Sequence, residues 1–115
     1  MRAIILTLVL SLALHGSVSA GGDSVSAATL IIDVRTEMEW NTGHIEGAIL
    51  IPFDKIAQDI TKVTTDVKAR VYLYCRSGRR SSLALDDLKK AGYTNVINLG
   101  TVDDASKKLN RHIVK

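Results

Sequence analysis

The stretch Val71-Tyr72-Leu73-Tyr74-Cys75-Arg76-Ser77-Gly78-Arg79-Arg80-Ser81 changes character in its middle. It starts with a continuous β-branched and aromatic run, which predicts a strand that ends at Cys75. A polar segment with one glycine follows. Small or apolar residues then recur at the spacing of one helix face: Ser81, Ala84, Leu85, Leu88 and Ala91. Gly92 stands where a helix C-terminus favours a residue that tolerates positive φ. The stretch therefore predicts a strand, a tight loop and a helix.

Three more short apolar runs lie outside this stretch: Leu30-Ile31-Ile32, Ile49-Leu50-Ile51 and Val96-Ile97. None alternates strictly with polar residues, and such runs are typical of strands covered on both faces, as in a parallel sheet. A short helix capped by Asp54 and a last helix over Val102 to Leu109 are also predicted. Because strand and helix alternate from residue 29 onward, the predicted fold class is α/β, a small domain with a mainly parallel sheet and helices on both faces.

The N-terminal 20 residues have the layout of a secretory signal peptide: positive Arg2, an apolar run from Ala3 to Leu14, and the small-residue cleavage site Val18-Ser19-Ala20. The apolar run is shorter than the roughly 20 residues that span a bilayer. Cleavage after Ala27, an uncleaved anchor or a buried first helix are the alternatives. We predict a signal peptide over 1–20, a flexible lead-in over 21–28 and one domain over 29–115, located in the periplasm without stable membrane anchoring after cleavage.

The charge and cysteine content exclude several classes of function. The formal net charge of +3 is too small to indicate binding to nucleic acid or to a membrane surface. The cluster of Arg76, Arg79 and Arg80 also lacks the aromatic residues that stack on single-stranded bases. One cysteine cannot close an internal disulfide. Histidines without nearby cysteine or histidine ligands give no metal site.

Cys75 is predicted to lie at the carboxyl end of its strand, which is where open α/β sheets bind ligands. A tight turn into a helix leaves backbone N–H groups unpaired, and with the helix dipole they form a site for an anion. Three arginines nearby add positive charge. Such surroundings lower the pKa of a thiol and favour the nucleophilic thiolate. The alternative is a buried cysteine that acts only as a small hydrophobic side chain.

Five segments of the chain resemble the rhodanese family. Cys75 to Ser81 is similar to its active-site loop, with the spacing C-x-x-G-x-R, and Ile32-Asp33-Val34-Arg35 to its strand-end D-V-R. Gly43-His44-Ile45-Glu46-Gly47-Ala48 and the later Ile51-Pro52 resemble its G-H-I-x-G-A signature and the strand after it. Lys90 to Val96 resembles the approach to the last strand. The resemblance covers about residues 30 to 100 and, with the export signal, is strongest to single-domain periplasmic thiosulfate sulfurtransferases of the phage-shock type.

The resemblance implies that Cys75 carries sulfur as a persulfide. The donor is a small sulfur anion such as thiosulfate, the acceptor is cyanide or a thiol, and neither a metal nor another cofactor takes part. It places five residues around the substrate: Arg76, Ser77, Gly78, Arg79 and Arg80. Arg80 has a structural ion pair as its alternative role.

Four other side chains are given supporting or packing roles. Asp33 and Arg35 are expected to support the loop, or else to pair with neighbours such as Glu39. His44 is expected to tie a turn to the sheet, and Trp40 to pack. We expect the protein to be a monomer.

Two other functions stay open. Cysteine phosphatases and arsenate reductases also place a thiolate in an anion-binding loop. By family comparison, their loop is one residue longer than the loop of this chain, with arginine where this chain has Ser81. A non-catalytic module that binds sulfur species or a partner protein is the second alternative, and the presence of the cysteine counts against it. The chain also departs from the rhodanese pattern at Leu99-Gly100-Thr101, where the family often has a second glycine.

Overall fold

The structure, a computed structural model, describes residues 29–115; the predicted signal peptide and lead-in lie outside the described residues. There are six strands in this part of the chain: β1 (Thr29–Asp33), β2 (His44–Ile45), β3 (Ile49–Leu50), β4 (Arg70–Cys75), β5 (Val96–Thr101) and β6 (Ile113–Val114). The helices are α1 (Glu37–Thr42), α2 (Ile56–Asp59), α3 (Arg79–Lys90) and α4 (Val102–Leu109), with 3₁₀ turns at Phe53–Lys55 and Ile60–Lys62.

The main sheet has the strand order β3-β1-β4-β5, and each neighbouring pair is parallel. Strands β2 and β6 form a separate antiparallel pair. The prediction of an α/β domain with a mainly parallel sheet is confirmed. The order also puts β4 at the centre of the sheet, so Cys75 lies at a carboxyl end between two other parallel strands.

Both faces of the sheet are covered. One buried cluster lies between the sheet and the helices α2 and α3, and it contains Ile32, Val34, Ile56, Ile60, Val71, Leu73, Cys75, Ala84 and Leu88. The cluster on the opposite face includes Ile31, Ile45, Tyr74, Leu99 and Ala105, the last of them in α4. Consecutive residues of a strand therefore enter different cores, which is why the strand sequences read as unbroken apolar runs.

The long helix α3 follows its predicted pattern. It begins at Arg79, directly after Gly78, whose φ of 91° is in the left-handed region that favours glycine. It ends at Lys90, and Gly92 follows with φ 103°, as predicted for the C-terminal end. Helix α4 spans the predicted range from Val102 to Leu109. No helix within residues 29–115 is long and apolar enough to cross a membrane.

The prediction that Asp54 caps a helix is wrong. Asp54 lies inside the 3₁₀ turn Phe53–Lys55, and helix α2 begins after Lys55 without any side-chain cap. The cause is Pro52, whose fixed φ of −54° starts the turn early and whose carbonyl accepts a hydrogen bond from the Lys55 N–H at 2.9 Å. Asp54 therefore comes two positions after the residue that initiates the turn.

Thr101, where the sequence departs from the rhodanese pattern, has a structural role. Thr101 is the N-cap of α4, and its hydroxyl accepts a hydrogen bond from the Asp104 N–H at 3.0 Å, while the Asp104 carboxylate accepts from the Thr101 N–H at 3.3 Å. This reciprocal arrangement is a capping box. A threonine at this place thus starts α4 directly at the end of β5.

Candidate active site

The sulfur of Cys75 lies against the start of helix α3. Its Sγ accepts a hydrogen bond at 2.8 Å from the N–H of Gly78, the last residue before the helix. The Cys75 side chain has no exposed surface. The structure therefore brings together the cysteine and the loop N–H groups that the sequence predicts to face it.

The surroundings of the sulfur act on its pKa in opposite directions. Burial raises the pKa of the Cys75 thiol, whereas the Ser81 hydroxyl and the backbone N–H groups of Ser81, Ser77 and Gly78 lower it, and the net result is a pKa below the usual value. Hydrogen-bond donors that converge on one atom stabilise its negative charge. The thiolate is the form that they favour.

The outer side of the loop consists of three exposed residues, Arg76, Ser77 and Arg79. We call these residues the rim. Within residues 29–115, the rim side chains make no hydrogen bond or ion pair. Two guanidinium groups without a carboxylate partner therefore stand beside the cysteine and give the entrance a positive charge.

Arg80, the second residue of α3, has a different environment. Its two terminal nitrogens donate to the two carboxylate oxygens of Glu39 at 2.8 Å each. This hydrogen bond from Arg80 lowers the pKa of Glu39 to about 2. Glu39 also closes a capping box with Thr36 at the start of α1. The bidentate pair thus joins α1 to α3, which corresponds to the structural alternative for Arg80.

Asp33 and Arg35 pair with each other at the end of β1. Arg35 Nη2 donates to Asp33 Oδ2 at 2.7 Å, and both side chains are buried. The same Nη2 donates to the Gly43 carbonyl at 2.6 Å, and the guanidinium lies 5.7 Å from the ring centroid of Tyr74. Burial lowers the pKa of Arg35, but the hydrogen bonds with Asp33 outweigh it and the pKa is raised. The pair braces the chain between β1 and β2, and neither residue pairs with Glu39.

A shallow cavity of about 320 Å³ opens beside the loop. Its lining contains Arg35, Met38, Glu39, Thr42 and Arg76. Met38 is 80% exposed there. Arg76 directly follows the cysteine, so the cavity borders the rim on the side of helix α1.

Two residues near the sulfur were not predicted as site residues. Ser81 was assigned to the apolar face of α3, and its hydroxyl lies 3.4 Å from Cys75 Sγ, 3.1 Å from the Gly78 carbonyl and 2.7 Å from Asn98 Oδ1. Asn98 in β5 donates through Nδ2 to the Gly78 carbonyl at 3.1 Å. Its Oδ1 also accepts from the Gly100 N–H at 2.9 Å. The polar character of Ser81 on an otherwise apolar face was a usable signal, whereas Asn98 gave none.

His44 and Trp40 lie away from the sulfur. Their rings are stacked with centroids 3.5 Å apart, and His44 Nδ1 lies 3.0 Å from the Trp40 carbonyl oxygen. His44 therefore fastens the end of α1 to β2, which belongs to the small antiparallel pair. Residues 29–115 contain no group of three His, Cys, Asp or Glu side chains that could hold a metal ion.

A cysteine at the end of a central parallel strand, held against a helix N-terminus, is typical of the class of α/β proteins with a nucleophilic cysteine loop. The sequence model of the rhodanese-like domain matches residues 19–101, and the chain belongs to the rhodanese-like domain family.

Several relatives of this chain are named for sulfur transfer. It is 38% identical over 80 residues to the thiosulfate sulfurtransferase PspE of Escherichia coli, covering 70% of this chain and 77% of PspE. It is 37% identical over 70 residues to a sulfurtransferase of Allochromatium vinosum, covering 61% of this chain and 64% of that protein. The solved structure of a rhodanese with anions from E. coli matches with a TM-score of 0.70 at 33% identity, covering 76% of this chain and 98% of that one. The relatives named as sulfurtransferases therefore support sulfur transfer in general terms.

Proposed function

We propose that the domain over residues 29–115 is a thiosulfate sulfurtransferase that carries one sulfur atom as a persulfide on Cys75. The observation that carries the proposal is the 2.8 Å hydrogen bond from the Gly78 N–H to Cys75 Sγ at the start of α3. It gives the sulfur the donors that stabilise a thiolate and, later, a persulfide anion. The related E. coli rhodanese structure is one with anions, which supports an anionic ligand for this protein.

The first half-reaction loads the enzyme. The Cys75 thiolate attacks the outer sulfur of thiosulfate, the sulfur–sulfur bond of the donor breaks, and sulfite leaves with the electron pair. Arg76 and Arg79 draw the dianion to the rim. The N–H groups of the loop hold the negative charge of the persulfide that forms.

The second half-reaction returns the enzyme to its starting state. Cyanide or a thiolate attacks the outer sulfur of the persulfide, the bond to Cys75 Sγ breaks, and thiocyanate or a new persulfide leaves while the Cys75 thiolate is regenerated. The acceptor resolves the intermediate, so one cysteine is sufficient and the order is ping-pong. Neither step requires a metal or another cofactor.

Intact-mass spectrometry tests the proposal. Incubation with thiosulfate should add the mass of one sulfur atom to the protein, and subsequent cyanide should remove it and release thiocyanate. Cys75→Ala is the control and should gain no mass. A wild-type protein whose mass does not change with thiosulfate contradicts the proposal.

Phosphate-ester hydrolysis is the rival activity with the most similar chemistry. Two features favour sulfur transfer: Ser81 stands where phosphatases have their loop arginine, and the preceding Arg80 is held by Glu39. We expect no turnover of an aryl phosphate. Turnover that disappears in Cys75→Ala would move the protein to the phosphatase class.

We also propose that the protein is exported and works as a monomer in the periplasm. The layout of residues 1–20 supports export, with the mature chain beginning at Gly21. N-terminal sequencing of protein from the periplasmic fraction checks the cleavage site, and retention of Met1 would contradict it. Sedimentation equilibrium of the cleaved protein checks the monomer.

A further inference from the structure

The hydroxyl of Ser81 has more acceptors than protons. Its oxygen lies 2.7 Å from Asn98 Oδ1, 3.1 Å from the Gly78 carbonyl oxygen and 3.4 Å from Cys75 Sγ, and its single proton can point to only one of them. Ser81 is fully buried, so its hydroxyl is not exposed to bulk water. A hydroxyl donates one hydrogen bond and accepts others. The three acceptors therefore compete, and the carboxamide of Asn98 has the shortest distance.

Asn98 is held so that its Oδ1 keeps facing Ser81. Its Nδ2 donates to the Gly78 carbonyl at 3.1 Å, and its Oδ1 accepts from the Gly100 N–H at 2.9 Å. Because the Gly78 carbonyl accepts and the Gly100 N–H donates, the amide has its oxygen toward Ser81 and its nitrogen toward the loop. The two contacts fix an acceptor, and not a donor, beside the Ser81 hydroxyl.

The preferred direction of the Ser81 proton depends on the charge of the sulfur. A neutral thiol donates to the Ser81 oxygen, which leaves the Ser81 proton for Asn98. A thiolate has no proton to give and attracts the Ser81 proton more strongly than a neutral amide oxygen does. We propose that Asn98 is a positioning residue of the sulfur-transfer site. Its Oδ1 accepts the hydrogen bond of the Ser81 hydroxyl while Cys75 is a thiol, and the hydroxyl donates to the sulfur instead when Cys75 is a thiolate. The inference rests on the proposed function, in which the thiolate attacks the donor.

Removal of the Asn98 amide should therefore favour the thiolate. Other charges also act on the sulfur, and they stay unchanged in the comparison: the Arg80–Glu39 pair, the Asp33–Arg35 pair, the rim arginines Arg76 and Arg79, and Asp104 behind Gly100. The part of the Asn98→Ala effect that comes from the Ser81 proton is the part that vanishes when Ser81 lacks its hydroxyl.

A double-mutant cycle on the full chain isolates that effect. The initial rate of Cys75 alkylation by iodoacetamide is measured across pH for wild type, Asn98→Ala, Ser81→Ala and the double variant. Asn98→Ala should lower the midpoint of the rate profile by about half a pH unit, and Ser81→Ala should raise it by about one unit, since it removes a donor to a charged sulfur. In the Ser81→Ala background, Asn98→Ala should cause no further shift. Asn95→Ala, just before β5, is the matched control and should leave the midpoint unchanged.

An Asn98→Ala midpoint that rises, stays at the wild-type value, or falls equally in both backgrounds would overturn the proposal. If circular dichroism shows that Asn98→Ala does not fold, Asn98→Asp replaces it, since it keeps an acceptor for Ser81 and Gly100. Asn98→Asp should raise the midpoint more in the wild-type background than in the Ser81→Ala background. Equal shifts would refute the proposal that Asn98 and Cys75 compete for the Ser81 proton. Alkylation needs no sulfur donor, so a failure to accept sulfur from thiosulfate refutes the proposed function separately.

Discussion

The rim of the loop and the paired residues near it both contain arginines but have opposite surroundings. We call the pairs Arg80–Glu39 and Asp33–Arg35 the anchor. Arg76 and Arg79 have exposed side chains with no ion-pair partner in residues 29–115, whereas Arg80, the next residue, is held by both oxygens of Glu39. An arginine that is already paired fixes geometry, and an unpaired one contributes charge to whatever approaches. The comparison predicts that substitutions in the anchor change stability and that substitutions in the rim change the use of an anionic donor.

The largest effect is expected at Cys75, where rim and anchor meet. Cys75→Ala or Cys75→Ser should lower thiosulfate-to-cyanide sulfur transfer by about a thousandfold or more, because neither side chain forms a persulfide. Thiocyanate release is the assay, and circular dichroism checks the fold. Ser82→Ala, an exposed position on α3, is the control. Activity within about tenfold of wild type would remove Cys75 from the mechanism.

The buried pair should give the largest loss of stability. Asp33→Ala leaves the Arg35 guanidinium buried without its carboxylate, and breaking such a pair costs about 3–5 kcal/mol. Urea unfolding measures the change in free energy. Asp86→Ala, an exposed acidic position on α3, should change it by about 0.5 kcal/mol or less. A small loss at Asp33 would show that the brace between β1 and β2 is unnecessary.

The Arg80–Glu39 pair, partly exposed, should have an intermediate effect. Arg80→Gln should lower the free energy of unfolding by about 1–2 kcal/mol and slow both half-reactions together. Lys62→Gln, which breaks an exposed pair with Asp59, is the control.

The pH dependence of stability tests the same pair. Since the folded-state pKa of Glu39 is below its ordinary value, its contribution is complete above about 4.5 and is lost as the pH falls toward about 2. Urea unfolding across that range should show this loss in wild type and much less of it in Glu39→Gln. Equal pH dependence in both proteins would show that the Arg80–Glu39 pair does not contribute to the free energy of unfolding.

The smallest effects belong to the rim. Arg76→Gln or Arg79→Gln should lower kcat/KM for thiosulfate by about threefold to tenfold at low salt, and should affect attack by the acceptor less. Salt screens such attraction, with a Debye length of about 10 Å at 0.1 M, so the variants should depend less on salt than wild type. Stopped-flow kinetics of each half-reaction measures this. Arg70→Gln, at the other end of β4, makes the same charge change and should leave the salt dependence unaltered.

The sequence predicted the elements whose signal is local. Continuous apolar runs indicated the parallel strands, and the spacing from Ser81 to Ala91 indicated α3. Helix α1 was missed although Thr36 and Glu39 have the spacing of a capping box. Strands β2 and β6 are two residues each and exist through their mutual pairing, which no short segment specifies.

For the site, the loop itself was predictable and its partners were not. Cys75 and Gly78 are close in sequence, so their geometry follows from the turn into α3. Glu39 and Asn98 come from α1 and β5, and their contacts depend on how distant parts of the chain pack. A single asparagine in a strand carries no pattern, so only the parallel pairing of β4 with β5 places it beside Ser81.

The burial of Cys75 also makes the protein selective by size. Its sulfur has no exposed surface, so a reagent reaches it only where the rim residues move aside. A disulfide to another protein requires the two Cα atoms to come within about 7 Å, which the covering loop and α3 oppose. A small anion has no such requirement. The thiol of Cys75 is thereby shielded from cross-linking to other proteins, a barrier that the small sulfur donors of the proposed function do not meet.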